Sequence, residues 1–236
     1  MTAPSRIVVL GAGSLRCAPE VLASLVQAGL PQESAVWLQD EHAEALDLAE
    51  RLAHRLVTEA NALLRVVATP DPAEALDGGE TVILCIGGGL RERKGWFAAE
   101  GAGEAVELVR LERMRRAIGS LQESFGSLAE RATVINLARP TAKSGRFLPR
   151  AAIHLDWPEP LPDEERVPRA HQMLRWARGE DPMFELLDRA KSGPLVSALR
   201  YGEPTATNLY DPGAEKELAA RLEGVGPEVL SLLSDL

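Results

Sequence analysis

The sequence predicts an α/β protein with a doubly wound, mainly parallel sheet and a small, mostly helical C-terminal part. Two observations support this fold class. Short apolar runs alternate with longer segments whose apolar residues recur at helical spacing. The run ETVILCIGGG is almost continuously apolar, as expected of a strand covered on both faces of a parallel sheet. Alternating strands and helices form βαβ units, which build such a sheet.

Six strands are expected within residues 1–158, which we predict to be one dinucleotide-binding domain. Helices with alanine, leucine, glutamate and arginine at helical spacing connect the first strands, and Gly29 is the expected stop of the first helix. The predicted strands are RIVVL (6–10), AVWLQD (35–40), LRVVAT (64–69), ETVILCIGGG (80–89), ATVINLARP (132–140) and AAIHLDW (151–157), and the predicted helices are 18–29, 42–64, 71–78 and about 103–128.

Residues 159–236 are predicted to form a small helical extension packed on this domain. The proline-rich segment WPEPLPDEERVPR (157–169) is typical of a connector. Most later segments have helical patterns, whereas PLVSALRYG and PTATNLY are compatible with either strand or helix.

The composition argues against nucleic acid and a membrane as partners. The chain has 26 basic and 35 acidic residues, a formal net charge of −9, which argues against a broad nucleic-acid surface. No apolar run approaches the roughly 20 residues that cross a membrane, and we expect a cytoplasmic protein. The two cysteines, Cys17 and Cys85, form no metal-binding or redox motif and are expected to be reduced packing residues.

The turn GAGS after the first strand is the first candidate site. Gly11 allows a tight turn, Gly13 lets backbone approach a pyrophosphate, and Ser14 offers a hydroxyl, while amides at the helix N-terminus attract the negative charge. The third glycine of the G-x-G-x-x-G fingerprint is Arg16, so the motif is partial.

Asp40 is the expected partner of this turn. It ends the second strand, where a carboxylate accepts hydrogen bonds from both ribose hydroxyls of NAD and repels the 2′-phosphate of NADP. The alternative is that Asp40 caps a helix. The turn and Asp40 together predict NAD as the cofactor.

Two later segments reach the same edge of the sheet, where ligands of doubly wound proteins bind. Gly88 is expected to approach the cofactor, and Arg93 to bind an anionic or sugar ligand through its guanidinium. Asn136 is expected to bind the nicotinamide ribose or a substrate hydroxyl.

These stretches together resemble the NAD- and metal-dependent family 4 glycoside hydrolases, whose Rossmann-type half is similar to lactate and malate dehydrogenases. The likeness runs over about residues 5–158 and rests on IVVLGAGS…PEVL, AVWLQD, IGGGLRER, INLARP and AAIHLDWP. It implies redox-assisted elimination, in which NAD takes hydride from the sugar, a base removes the neighbouring proton and a divalent metal polarises the sugar oxygens. It also implies assembly into homodimers.

The departures from that family concern the metal. Leu155 stands where the resemblance implies a metal-binding cysteine, and Arg139 replaces the second asparagine of the N-x-x-N-P motif. We therefore expect no bound metal and an NAD-binding protein without metal-dependent glycosidase activity. The alternatives are an active glycosidase or small dehydrogenase of altered chemistry, with His154 as its acid/base, and a non-catalytic interaction protein that keeps the sheet.

Overall fold

The computed structural model describes residues 5–86, 108, 111–112, 115–116, 132–138, 141–148, 153–159, 161, 163–201 and 209–227. Gly88 and Arg93, which were predicted to contact ligands, lie outside the described residues. So do Arg139 and Pro140, which stand at the end of the family's N-x-x-N-P motif. Most of the helix predicted at 103–128 also does.

Six strands form one parallel sheet in the order β3-β2-β1-β4-β5-β6. The predicted doubly wound fold is confirmed. The strand order reverses between β1 and β4, which makes the carboxyl ends of these two strands the switch point where such sheets bind ligands. The strands are β1 Arg6–Leu10, β2 Ala35–Gln39, β3 Arg65–Thr69, β4 Thr81–Leu84, β5 Thr133–Asn136 and β6 Ile153–His154.

Helices cover both faces of this sheet. Those within the described residues are α1 Ala18–Gln27, α2 Ala43–Glu59, α3 Pro72–Leu76, α4 Thr141–Ser144, α5 Asp163–Arg178, α6 Phe184–Lys191, α7 Pro194–Tyr201 and α8 Ala214–Glu223, and Gly145–Phe147 add a 3-10 turn after α4. None of the helices described is both long and apolar enough to span a bilayer.

The side chains of β1 show why both faces must be covered. Ile7 and Val9 point into a core shared with α1, α2 and the C-terminal helices α5, α6 and α7. Val8 and Leu10 point the opposite way, into a second core that includes Leu76 of α3. Successive side chains of a strand alternate between faces, so this uninterrupted apolar strand supplies both cores.

The predicted connector at 157–169 was wrong in its second half. Helix α5 begins at Asp163 and continues through Pro168. Two acidic residues in the first turn, Glu164 and Glu165, are favourable at the positive end of the helix dipole. Their interaction helps to offset the free-energy cost of the backbone hydrogen bond that Pro168 cannot make. PLVSALRYG, for which strand and helix both remained open, is helix α7.

Candidate nucleotide site

The glycine turn packs tightly against neighbouring parts of the same chain. Gly11 has φ +76°, and a Cβ there would lie 3.0 Å from the carbonyl carbon of Cys85. A Cβ on Gly13 would lie 2.5 Å from Cβ of Ala45 and 2.9 Å from Oδ2 of Asp40. The expected reason for Gly13 was the approach of a pyrophosphate; in this structure the atoms that exclude a side chain belong to α2 and Asp40.

The backbone amides of the turn are mostly used within the protein. The amides of Leu15 and Arg16 are different, because neither has an acceptor among the described residues. They directly precede Cys17, the N-cap of α1, and unpaired amides at a helix N-terminus attract anions. The other amides of the turn donate hydrogen bonds within the protein: Gly11 and Ala12 to the carbonyl of Gln39, Gly13 to Oδ2 of Asp40, Ser14 to the carbonyl of Gly11, and Cys17 to Oγ of Ser14.

The sequence predicted that amides at the helix N-terminus attract the negative charge, but it did not identify them as those of Leu15 and Arg16. The signal lies in the position of Pro19, which occupies the first turn of α1 and has no N–H. The amides left to face an anion therefore precede the helix.

Asp40 is held rigidly beside the turn. Its Oδ2 accepts a hydrogen bond from the Gly13 amide at 2.8 Å, and its Oδ1 accepts one from the His42 amide at 3.0 Å. A carboxylate has about four acceptor positions, so two remain for the hydroxyls of a ribose. The alternative role as helix cap is not what the structure shows, because His42 is the N-cap of α2.

Arg16, which replaces the third glycine of the fingerprint, links the glycine turn by hydrogen bonds to the loops that follow β5 and β6. Its Nη1 donates to the carbonyl of Pro158 at 2.9 Å, and its Nη2 donates to the carbonyl of Leu137 at 2.7 Å. These carbonyls belong to the segments that follow β6 and β5. The arginine therefore joins the turn to the far half of the sheet edge.

We expect Arg16→Met to lower the free energy of unfolding by about 2 kcal/mol, because it removes two half-buried hydrogen bonds from a charged donor while keeping much of the side-chain volume. Urea denaturation followed by circular dichroism measures the change. Arg65→Met is the control, since Arg65 is exposed on the edge strand β3. Equal stability of the two variants would contradict a stabilising role of the two Arg16 hydrogen bonds.

Asn136 lies at the end of β5, as predicted, but its side chain is buried rather than displayed at the rim. Its Nδ2 contacts Oγ of Ser144 at 2.9 Å and Nδ1 of His154 at 3.0 Å, and its Oδ1 accepts a hydrogen bond from the Ala138 amide at 3.0 Å. Both amide hydrogens are thus directed at protein atoms. This placement favours a structural role for the side chain, and contact of Asn136 with a ligand stays an untested prediction.

His154, the candidate acid/base, is enclosed by this same cluster. Its Nδ1 pairs with Asn136, and a Cβ on Gly145 would lie 2.7 Å from its Cε1. The same position on Gly145 would be 2.9 Å from Cδ1 of Leu209. Packing of the ring on a glycine favours a structural role, and catalysis by His154 stays an untested prediction.

Leu155 is a packing residue. Its side chain lies against the first core, and its amide donates to the carbonyl of Asn136 at 3.0 Å. Within the described ranges, no three histidine, cysteine, aspartate or glutamate side chains come together as metal ligands would.

The strand order and the turn define a Rossmann-type α/β protein with a partial dinucleotide fingerprint. Residues 6–96 match the model of the family 4 glycosyl hydrolases. The resemblance predicted from the sequence is confirmed over these residues, which include the glycine turn and Asp40. No match was found among curated proteins.

Several solved structures match part of this chain. A 6-phospho-alpha-glucosidase from gut microorganisms, in complex with NAD and Mn²⁺, is 22% identical with a TM-score of 0.47, and the match covers 62% of this chain and 35% of that one. A 6-phospho-beta glucosidase from Thermotoga maritima, with manganese, NAD⁺ and glucose-6-phosphate, is 22% identical with a TM-score of 0.46, covering 61% and 36%.

A lactate dehydrogenase from Cryptosporidium parvum, complexed with lactic acid and NAD, is 18% identical with a TM-score of 0.46, covering 62% of this chain and 41% of that one. In all three cases this chain therefore matches less than half of the solved protein.

Proposed function

We propose that this protein binds NAD at the turn between β1 and α1 and does not act as a metal-dependent glycosidase. The observation that carries the binding proposal is the pair of unpartnered amides, Leu15 and Arg16, at the N-terminus of α1. They suit a pyrophosphate, because an anion there gains two hydrogen bonds and the favourable end of the helix dipole.

Asp40 supports a choice of NAD over NADP. Its carboxylate is fixed by Gly13 and His42 and keeps acceptor positions for two ribose hydroxyls. The 2′-phosphate of NADP would meet this negative charge at close range. The family 4 model covers the turn and Asp40, and the resemblance implies the same cofactor.

The proposed lack of glycosidase activity rests on Leu155. A packed leucine stands where the resemblance implies a metal-binding cysteine, and an aliphatic side chain has no atom to offer a cation. An anionic or sugar ligand, a homodimer and the role of Arg93 remain predictions. Hydrolysis of aryl glycosides or their 6-phosphates by the purified protein with NAD and manganese would refute this part of the proposal.

Calorimetric titration with NAD, NADH and NADP tests the binding site. We expect Asp40→Ala to weaken NAD binding roughly 10- to 100-fold, the equivalent of about 1.4 to 2.7 kcal/mol, because the hydrogen bonds to the ribose are lost. NADP should bind more weakly than NAD to the unmodified protein, and the difference should shrink in the variant.

Glu41→Ala is the matched control, since Glu41 is the adjacent, exposed carboxylate. Asp40→Asn separates charge from support of the turn, because its amide oxygen still accepts one of the two backbone hydrogen bonds. Unchanged NAD affinity in both Asp40 variants, or no NAD binding by the unmodified protein, would contradict the proposed site.

A further inference from the structure

The sheet of this protein has two halves that meet at the switch point between β1 and β4. The first half comprises β1, β2 and β3, and the second comprises β4, β5 and β6. In doubly wound folds each half binds one mononucleotide, and a dinucleotide lies across the carboxyl ends of both halves with its pyrophosphate at the first turn. The two nucleotides of such a ligand therefore meet different groups of the protein.

The first half keeps polar groups for a ligand. The Asp40 carboxylate has two acceptor positions left after its hydrogen bonds from the Gly13 and His42 amides. The amides of Leu15 and Arg16 have no acceptor among the described residues. An acceptor for ribose hydroxyls beside donors for a diphosphate matches one nucleotide of NAD, its adenosine diphosphate part.

The side chain of Arg16 extends the other way, into the second half. Its Nη2 donates to the carbonyl of Leu137, directly after β5, at 2.7 Å, and its Nη1 donates to the carbonyl of Pro158, after β6, at 2.9 Å. Neighbouring strands are about 4.8 Å apart, and β4 lies between β1 and β5. The side chain therefore crosses the carboxyl end of β4, on the path that a second nucleotide takes from the turn.

The polar side chains at the ends of β5 and β6 are directed at protein atoms. The buried Asn136 donates to Oγ of Ser144 and contacts Nδ1 of His154. The Ser144 hydroxyl in turn donates to the carbonyl of Ala138 at 2.8 Å. A nicotinamide ribose placed over this half would meet groups that already have partners, in contrast to the adenosine ribose beside Asp40.

We propose that this site recognises the adenosine diphosphate part of its ligand and that the nicotinamide half of NAD adds little to binding. The inference rests on the proposed function and narrows it to a ligand class, which is ADP and compounds with a further group on its terminal phosphate. NAD and ADP-ribose both belong to this class. Since NAD and NADH differ only in the nicotinamide ring, the protein binds both oxidation states equally.

Calorimetric titration of the purified protein with NAD, NADH, ADP-ribose and nicotinamide mononucleotide tests the proposal. We expect the first three to have dissociation constants within about fivefold of one another. Nicotinamide mononucleotide should give no detectable binding. Saturation-transfer NMR of bound NAD gives a second readout, in which the adenine protons and those of the adjacent ribose should receive several-fold more saturation than the nicotinamide protons.

The Arg16→Met variant tests whether this side chain is the group that fills the second half. Its removal frees the carbonyls of Leu137 and Pro158 to accept hydrogen bonds from the carboxamide of nicotinamide, which ADP-ribose lacks. The ratio of NAD affinity to ADP-ribose affinity should therefore rise about threefold or more. This ratio cancels any loss that the two ligands share, such as lower stability or weaker attraction of the diphosphate. Arg65→Met is the control and should leave the ratio unchanged.

Three results would overturn the inference: NAD affinity that exceeds ADP-ribose affinity by more than the fivefold margin, nicotinamide protons saturated as strongly as those of adenine, or an unchanged ratio in Arg16→Met. In each of these cases NAD still binds, and the proposed function stands. If neither NAD nor ADP-ribose binds, the proposed function falls and the inference falls with it.

Discussion

Gly13→Ala is expected to lower the free energy of unfolding by about 3 kcal/mol and to reduce NAD binding below detection. The added Cβ would overlap Cβ of Ala45, at 2.5 Å, and approach Oδ2 of Asp40 to 2.9 Å. Overpacking costs about 1–3 kcal/mol. Moving the turn away from α2 also breaks the 2.8 Å hydrogen bond from the Gly13 amide to the carboxylate, worth about 1.5–3 kcal/mol for a charged acceptor.

Urea denaturation and NAD calorimetry on the same preparation measure both effects. Gly226→Ala is the matched control, because no atom lies within 4 Å of the position its Cβ would take. A Gly13 variant as stable as this control would show that the contact between the turn and α2 does not exist in solution. Normal stability with lost NAD binding would instead support the predicted role of Gly13, which is to let the backbone approach the pyrophosphate.

Asn136→Leu is expected to cost about 3 kcal/mol of stability. Leucine has a similar volume, but it leaves the buried Ala138 amide without its acceptor and removes the contact between Nδ2 of Asn136 and Nδ1 of His154. Each buried polar group left unpaired costs about 1–3 kcal/mol. The hydroxyl of Ser144 keeps its bond to the carbonyl of Ala138 at 2.8 Å, which limits the damage.

Thermal and urea unfolding measure this loss, with Thr133→Val as the control at the exposed start of the same strand. The two roles considered for Asn136 separate cleanly. A buried structural amide predicts lost stability in the leucine variant, whereas a ligand-facing amide predicts normal stability with weakened binding of NAD or substrate.

Local pattern was enough to predict the strands and the turn. The apolar run RIVVL followed by glycines predicts β1 and the tight turn at Gly11, and the observed φ of +76° agrees. The position of Asp40 was also predictable, since it follows the last residue of a recognisable strand. The prediction of a connector over 157–169 was wrong from Asp163 onward, because the acidic residues at its start favour helix α5 in spite of Pro168.

The fold class, the place of the turn and the carboxylate beside it are predictable from the amino-acid sequence, because they follow from periodicity and from residues close together in the chain. The atoms that those residues contact depend on the tertiary structure. Arg16 reaches carbonyls 121 and 142 residues away, Asn136 is buried against His154, and Gly11 lies against the carbonyl of Cys85. Such contacts depend on how parallel strands align their carboxyl ends, and no local pattern of apolar and polar residues encodes that alignment.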